Sequence, residues 1–110
     1  MSTIKSSREI DSIFRDSRRV AHPLVVTLIA STPEGRGREG RVAFVAGKRL
    51  GNAVARNRAK RVLRAAARHA GAPWPGHDVV LIATGQTGGA PRDELQRAFS
   101  RMLARAEIQR

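Results

Sequence analysis

Apolar positions along the chain recur with two different periods, and the changes of period mark out the elements. Ile10, Ile13 and Phe14 sit among charged residues at the spacing of one helical face, which predicts a short helix over residues 7–15, capped by Ser6 or Ser7. Residues 24–31, LVVTLIAS, read as a strand that is apolar on both faces. STPEGRGREG, residues 31–40, carries the Pro and Gly of an exposed connection. A second strand follows over 41–46, RVAFVA, so the two are expected to form a hairpin with a longish loop. The loop GKRLGN leads into a helix from about Ala53 to Ala70, ended by Gly71 and the stiff turn GAPWPG. Residues 78–84, DVVLIAT, are a further strand, and GQTGGAP is a loop. A last helix begins at Pro91 or Asp93 and runs to about Glu107, with Leu95, Ala98, Phe99, Met102 and Leu103 on one face. This order predicts an α/β chain of the α+β kind, a two-layer sandwich with three helices; a small mixed sheet of about four strands is expected, of which the pattern marks three.

Length fits one domain over residues 1–110. The sequence contains no cysteine, which removes disulfides and thiolate metal sites from consideration. No stretch approaches the roughly 18 apolar residues of a membrane span, and the N-terminus lacks the apolar run of a signal peptide. A cytoplasmic protein that does not enter the membrane is expected.

Charge narrows the partner. Lys and Arg number 21 against 9 acids, a formal net charge of +12, and a small domain so charged attracts polyanions. Only Lys5, Lys48 and Lys60 are lysine. The arginines that make up the rest fork onto phosphate and stack on bases.

The basic residues are concentrated. From Arg41 to His77 there is no acid, while nine Lys or Arg occur. On a helical wheel at about 100° per residue, Arg56, Asn57, Lys60, Arg61, Arg64 and Arg68 gather on one side. Ala59, Val62, Leu63, Ala66 and Ala67 gather on the other. Arg58 falls off the ridge near the apolar border and is expected to point elsewhere, over a sheet edge toward a second contact. A solvated helix face normally mixes signs so that acids support bases at i,i+4, and here the acids are missing. Cations in the first turns also oppose the helix dipole, whereas free N–H groups there suit phosphate. Nucleic acid is therefore the favoured partner of this face. In GKRLGN the glycines permit tight turns and Lys48 and Arg49 are candidate phosphate contacts. Asn52 either caps the helix or binds RNA, and sequence does not separate the two.

GKRLGNAVARNRAKRVLRAAAR, residues 47–68, resembles the signature of the bacterial ribonuclease P protein family. The match comprises Arg49 to Val54, the Arg56-Asn57-Arg58 core, and Lys60, Arg61 and Arg64, without gaps; chain length and element order agree. The resemblance implies a left-handed β-α-β crossover around the basic helix, against the general right-handed rule. It also implies a partnership with a large catalytic RNA and precursor tRNA, from which the 5′ leader is removed endonucleolytically. The RNA would carry the chemistry with Mg2+ that it mainly holds itself, leaving no catalytic residue and no metal site on the protein. Lys48, Arg49, Asn52, Arg56, Asn57, Arg58, Lys60, Arg61 and Arg64 would contact the catalytic RNA or help order its metal site, with Arg68 on the same ridge. A cleft between the first helix and the sheet would take the single-stranded leader, with Ile10, Phe14, Arg15 and Leu28 in it and Arg18 and Arg19 nearby. Only Phe14 among these offers a ring for stacking on a base; its competing role is a core residue of the first helix.

No other constellation suggests catalysis. His22, His69 and His77 are scattered, and Asp78, Asp93 and Glu94 suit capping or surface roles better than a two-metal cluster. Trp74, between two prolines, is read as a plug over the helix end, with base stacking as the alternative. Two competing functions remain on composition: a structural RNA-binding protein such as a ribosomal component, and a DNA-binding module. The second is disfavoured because only Asn57 on the basic helix is suited to reading a base.

Overall fold

A computed structural model describes residues 17–31 and 40–106. Strands β1 (Arg18–His22), β2 (Val25–Ser31), β3 (Arg41–Val45) and β4 (His77–Ala83) form one sheet in the order β1-β2-β4-β3. Helices α1 (Ala53–His69) and α2 (Arg92–Arg105) complete the regular elements among the described residues, with 3-10 turns at Lys48–Leu50 and Thr87–Gly89. β1 and β4 are both antiparallel to β2, whereas β3 runs parallel to β4. The helix expected over residues 7–15 lies outside the described residues. No described helix is long and apolar enough to cross a membrane.

The expected hairpin between the second and third strands does not form. β4 lies between them, pairing Leu28 with Val80 on one side and Ala43 with Val80 on the other. β4 is almost wholly buried, and an apolar strand with two covered faces gains most at the sheet centre. The connection between Ser31 and Arg41 is longer than the about two to five residues of a tight hairpin, which leaves room for a strand between the two.

β1 is an element the apolar pattern does not announce, since only Val20 and Ala21 interrupt its charge. It hairpins onto β2 through Pro23–Leu24, with His22 opposite Val25 and the His22 Nδ1 accepting from the Leu24 N–H at 3.1 Å. Arg18, Arg19 and His22 suit an edge strand, where charge discourages pairing with another chain.

Strand alternation divides the sheet residues between two cores. Val20, Val25, Ile29, Val42, Val79 and Leu81 face the helices, packing on Leu63 and Ala67 of α1 and on Phe99 and Met102 of α2. On the opposite face Leu28, Ala43 and Val80 form a second buried cluster, joined by Ala30, Val45 and Ile82. Trp74 is 1% exposed within the larger core, and its indole N–H donates to the Ala70 carbonyl at 3.2 Å. It is a plug over the end of α1, not an exposed stacking platform. Gly40 lies against that same turn; a Cβ there would run into the Trp74 and His77 carbonyl oxygens.

Candidate nucleic-acid interface

Helix α1 begins where Asn52, in extended conformation, accepts the Ala55 N–H on its Oδ1 at 3.0 Å. That bond identifies Asn52 as the N-cap, a contribution of about 1 kcal/mol, and its exposed amide still leaves donors facing solvent. Before it, the Lys48–Leu50 turn closes through Leu50 N–H to Gly47 O and Gly51 N–H to Lys48 O. Gly51 has φ 118°, which a residue with a Cβ rarely adopts. Gly47, at φ −74°, is ordinary extended backbone. Tight-turn geometry thus accounts for the second glycine of GKRLGN and not for the first.

The helix separates its faces as the wheel expects. Ala59, Leu63, Ala66 and Ala67 are buried; Asn57, Arg61, Arg64 and Arg68 are exposed, and Arg56 and Lys60 half-buried. With exposed Lys48 and Arg49 ahead of it, the ridge runs from the turn to Arg68, about 24 Å from Asn52 at 1.5 Å per residue. The first turn of α1 has no acid, so its dipole and its arginines both favour an anion. The Arg56 Nε is shielded from solvent and makes no hydrogen bond among the described residues. The Arg64 guanidinium lies over the Phe44 ring. Arg58 leaves the ridge and donates from Nε to the Gly88 carbonyl at 3.1 Å, reaching the Thr87–Gly89 turn.

A groove of about 510 Å³ opens on the sheet face away from the helices, with Leu28, Val26 and Ile82 among its apolar walls. Arg19 and Arg49 add charge, and Thr84 and Gly85, just past the end of β4, line it as well. Arg49 therefore belongs to both the basic loop and the groove. Ile10, Phe14 and Arg15 lie outside the described residues. Of the two neighbouring arginines expected near the leader, only Arg19 lines the groove. Arg18 sits one residue earlier on the strand and so on the other face, where its Nη2 donates to the Arg105 carbonyl at the end of α2, 2.9 Å away. Val26, Ile82, Thr84 and Gly85 were not singled out from sequence. The signal for the first two was present, because residues 26 and 28 share a strand face, but the partner strand was needed to add Ile82.

The carboxylates of the described residues are structural. Asp78 is 2% exposed and pairs with Arg41 at 3.5 Å, which corrects the surface role expected for it. Asp93 and Glu94 occupy the first turn of α2, and Asp93 pairs with Arg97 at 3.4 Å. Among the described residues no three His, Asp or Glu side chains come together to hold a metal ion.

A model of the ribonuclease P family matches residues 1–107. The chain belongs to the ribonuclease P protein family. The ribonuclease P protein component of Symbiobacterium thermophilum is 36% identical over 109 residues, covering 96% of this chain and 90% of the relative. The fold agrees with solved ribonuclease P proteins. That of Staphylococcus aureus superposes with a TM-score of 0.81 at 22% identity, covering 98% of this chain and 97% of the other. That of Thermotoga maritima gives 0.78 at 20% identity, over 96% and 97%. The mixed four-stranded sheet and the two helices of the described residues thus match the fold of these proteins. As a ribonuclease P protein component, the chain is a subunit of the ribonucleoprotein endoribonuclease that processes the 5′ end of tRNA.

Proposed function

We propose that the ridge of α1 and the Lys48–Leu50 turn dock on the catalytic RNA, while the groove on the far sheet face receives the single-stranded 5′ leader of precursor tRNA. The observation that carries this reading is an uninterrupted cationic ridge whose first turn holds no acid. Lys48, Arg49, Arg56, Asn57, Lys60, Arg61, Arg64 and Arg68 then contact RNA, the arginines through phosphate, and Asn52 adds its amide donors. Arg49, at the junction, faces both partners. Leu28 and Ile82 supply apolar contact for the leader and Arg19 a charge, with Ile10, Phe14 and Arg15 read as part of the same cleft on the family resemblance. A single RNA-binding domain, a third helix over residues 7–15 and a left-handed sense for the β3–α1–β4 crossover belong to the same reading. The hydrolysis is assigned to the RNA, with Mg2+ that the RNA holds; the protein binds and orients, and acts in the cytoplasm without DNA or membrane as partner.

The absence of cysteine makes a direct test simple. Arg61→Cys and Ile82→Cys each accept one photo-cross-linker, and each labelled protein is assembled with catalytic RNA and precursor tRNA. Position 61 is expected to join the catalytic RNA and position 82 the leader. Labelling of the leader from position 61, or of neither RNA from position 82, contradicts the assignment.

A further inference from the structure

Arg58 belongs by sequence to the basic signature, yet its side chain does not join the ridge. We infer that Arg58 is a positioning residue: it holds the Thr84–Gly89 turn against α1 and thereby sets one wall of the groove. The inference rests on the groove's being the leader site.

Three observations carry it. First, the Arg58 Nε is committed to the Gly88 carbonyl at 3.1 Å. Second, the turn is staked from its other side by two threonines. The Thr87 hydroxyl, fully buried, donates to the Leu24 carbonyl at 2.6 Å and accepts the Thr84 N–H at 2.8 Å. The Thr84 hydroxyl donates to the Pro23 carbonyl at 2.6 Å. Between these anchors and Arg58 lie Gly88 and Gly89, where a Cβ would meet nothing within 4 Å. Two glycines in open space have no side-chain packing of their own and lose much chain entropy when ordered. Their position depends on the anchors. Third, the turn is a wall shared by two concavities. Thr84 and Gly85 line the groove with Arg49 and Ile82, and the same two residues line a cleft under α1 with Leu50, Ala55 and Arg58. Moving the turn therefore alters the groove, and Arg58 ties the turn to the helix that docks on RNA. An assembled holoenzyme would in this way register the leader groove against the catalytic RNA.

The test separates positioning from phosphate binding. Arg58→Ala and Thr87→Val are each assembled with catalytic RNA, with Arg61→Ala for comparison. Two quantities are read: the slope of log affinity for catalytic RNA against log salt, and kcat/KM for precursor tRNA with a leader of several nucleotides or of one. Arg58→Ala is expected to leave the slope unchanged and to lower kcat/KM about tenfold for the long leader only, the size of one lost hydrogen bond. Thr87→Val, which removes no charge and cannot touch RNA, is expected to show the same leader-selective loss. A slope lowered by about one with Arg58→Ala, or an equal loss on both substrates, overturns the inference. If the unmodified holoenzyme does not distinguish the two leaders, the groove assignment fails and this inference with it. If Arg61→Ala leaves the salt slope unchanged while both test variants lose the long leader selectively, the ridge assignment fails and the positioning role stands.

Discussion

The Arg64 guanidinium lies over the ring of Phe44, 5.2 Å from its centroid. One arginine of the α1 ridge is thereby held against β3 while the residue stays exposed. Such contacts at exposed sites are worth about 0.5–1 kcal/mol, and their effect here is to limit the side-chain freedom that binding would otherwise have to freeze. Phe44→Leu should weaken binding of the catalytic RNA about two- to fivefold without altering its salt dependence, because the charge of Arg64 remains. Filter binding across a salt series checks both parts.

Removing the charge itself has a different signature. Arg56→Ala and Arg64→Ala should each lower the slope of log affinity against log salt by about one, the mark of one lost phosphate contact. An unchanged slope would make them a solvated helix face.

The two glycines of GKRLGN should respond unequally. At Gly51, φ 118° makes any Cβ strained, so Gly51→Ala should cost about 1–3 kcal/mol and displace Lys48 and Arg49 from the start of α1. At Gly47 the backbone is extended and a Cβ meets open space, so Gly47→Ala should change stability by no more than about 0.5 kcal/mol. Urea unfolding of both variants measures the difference.

Trp74 is core. Trp74→Ala should lower unfolding free energy by about 3–5 kcal/mol, with the salt slope for RNA binding unchanged under conditions where the variant is folded. A slope change with little loss of stability would restore the base-stacking role.

The basic helix was legible because its 3.6-residue aliphatic stripe and its missing acids point the same way, and Arg58 stood off the wheel before Gly88 was known as its partner. The sheet order was not. Residues 24–31 and 41–46 read as neighbours because sequence distance is the only distance a sequence offers, and the more apolar β4 displaced that pairing from the centre. β1 escaped notice because an edge strand can be mostly charged. Arg18 and Arg19 looked equivalent until the strand they share put them on opposite faces. The groove depended on Leu28 meeting Val80 and Ile82 lying beside them, a pairing set by register across 50 residues or more of chain.

The role proposed for this protein is to assist an RNA that performs the cleavage. Its most direct test mixes the protein with the candidate catalytic RNA and labelled precursor tRNA at low magnesium. Cleavage at one site, at the 5′ end of the mature tRNA, and only when protein and catalytic RNA are both present, is the predicted result. Cleavage by the protein alone, or no stimulation of the RNA by the protein, would contradict it.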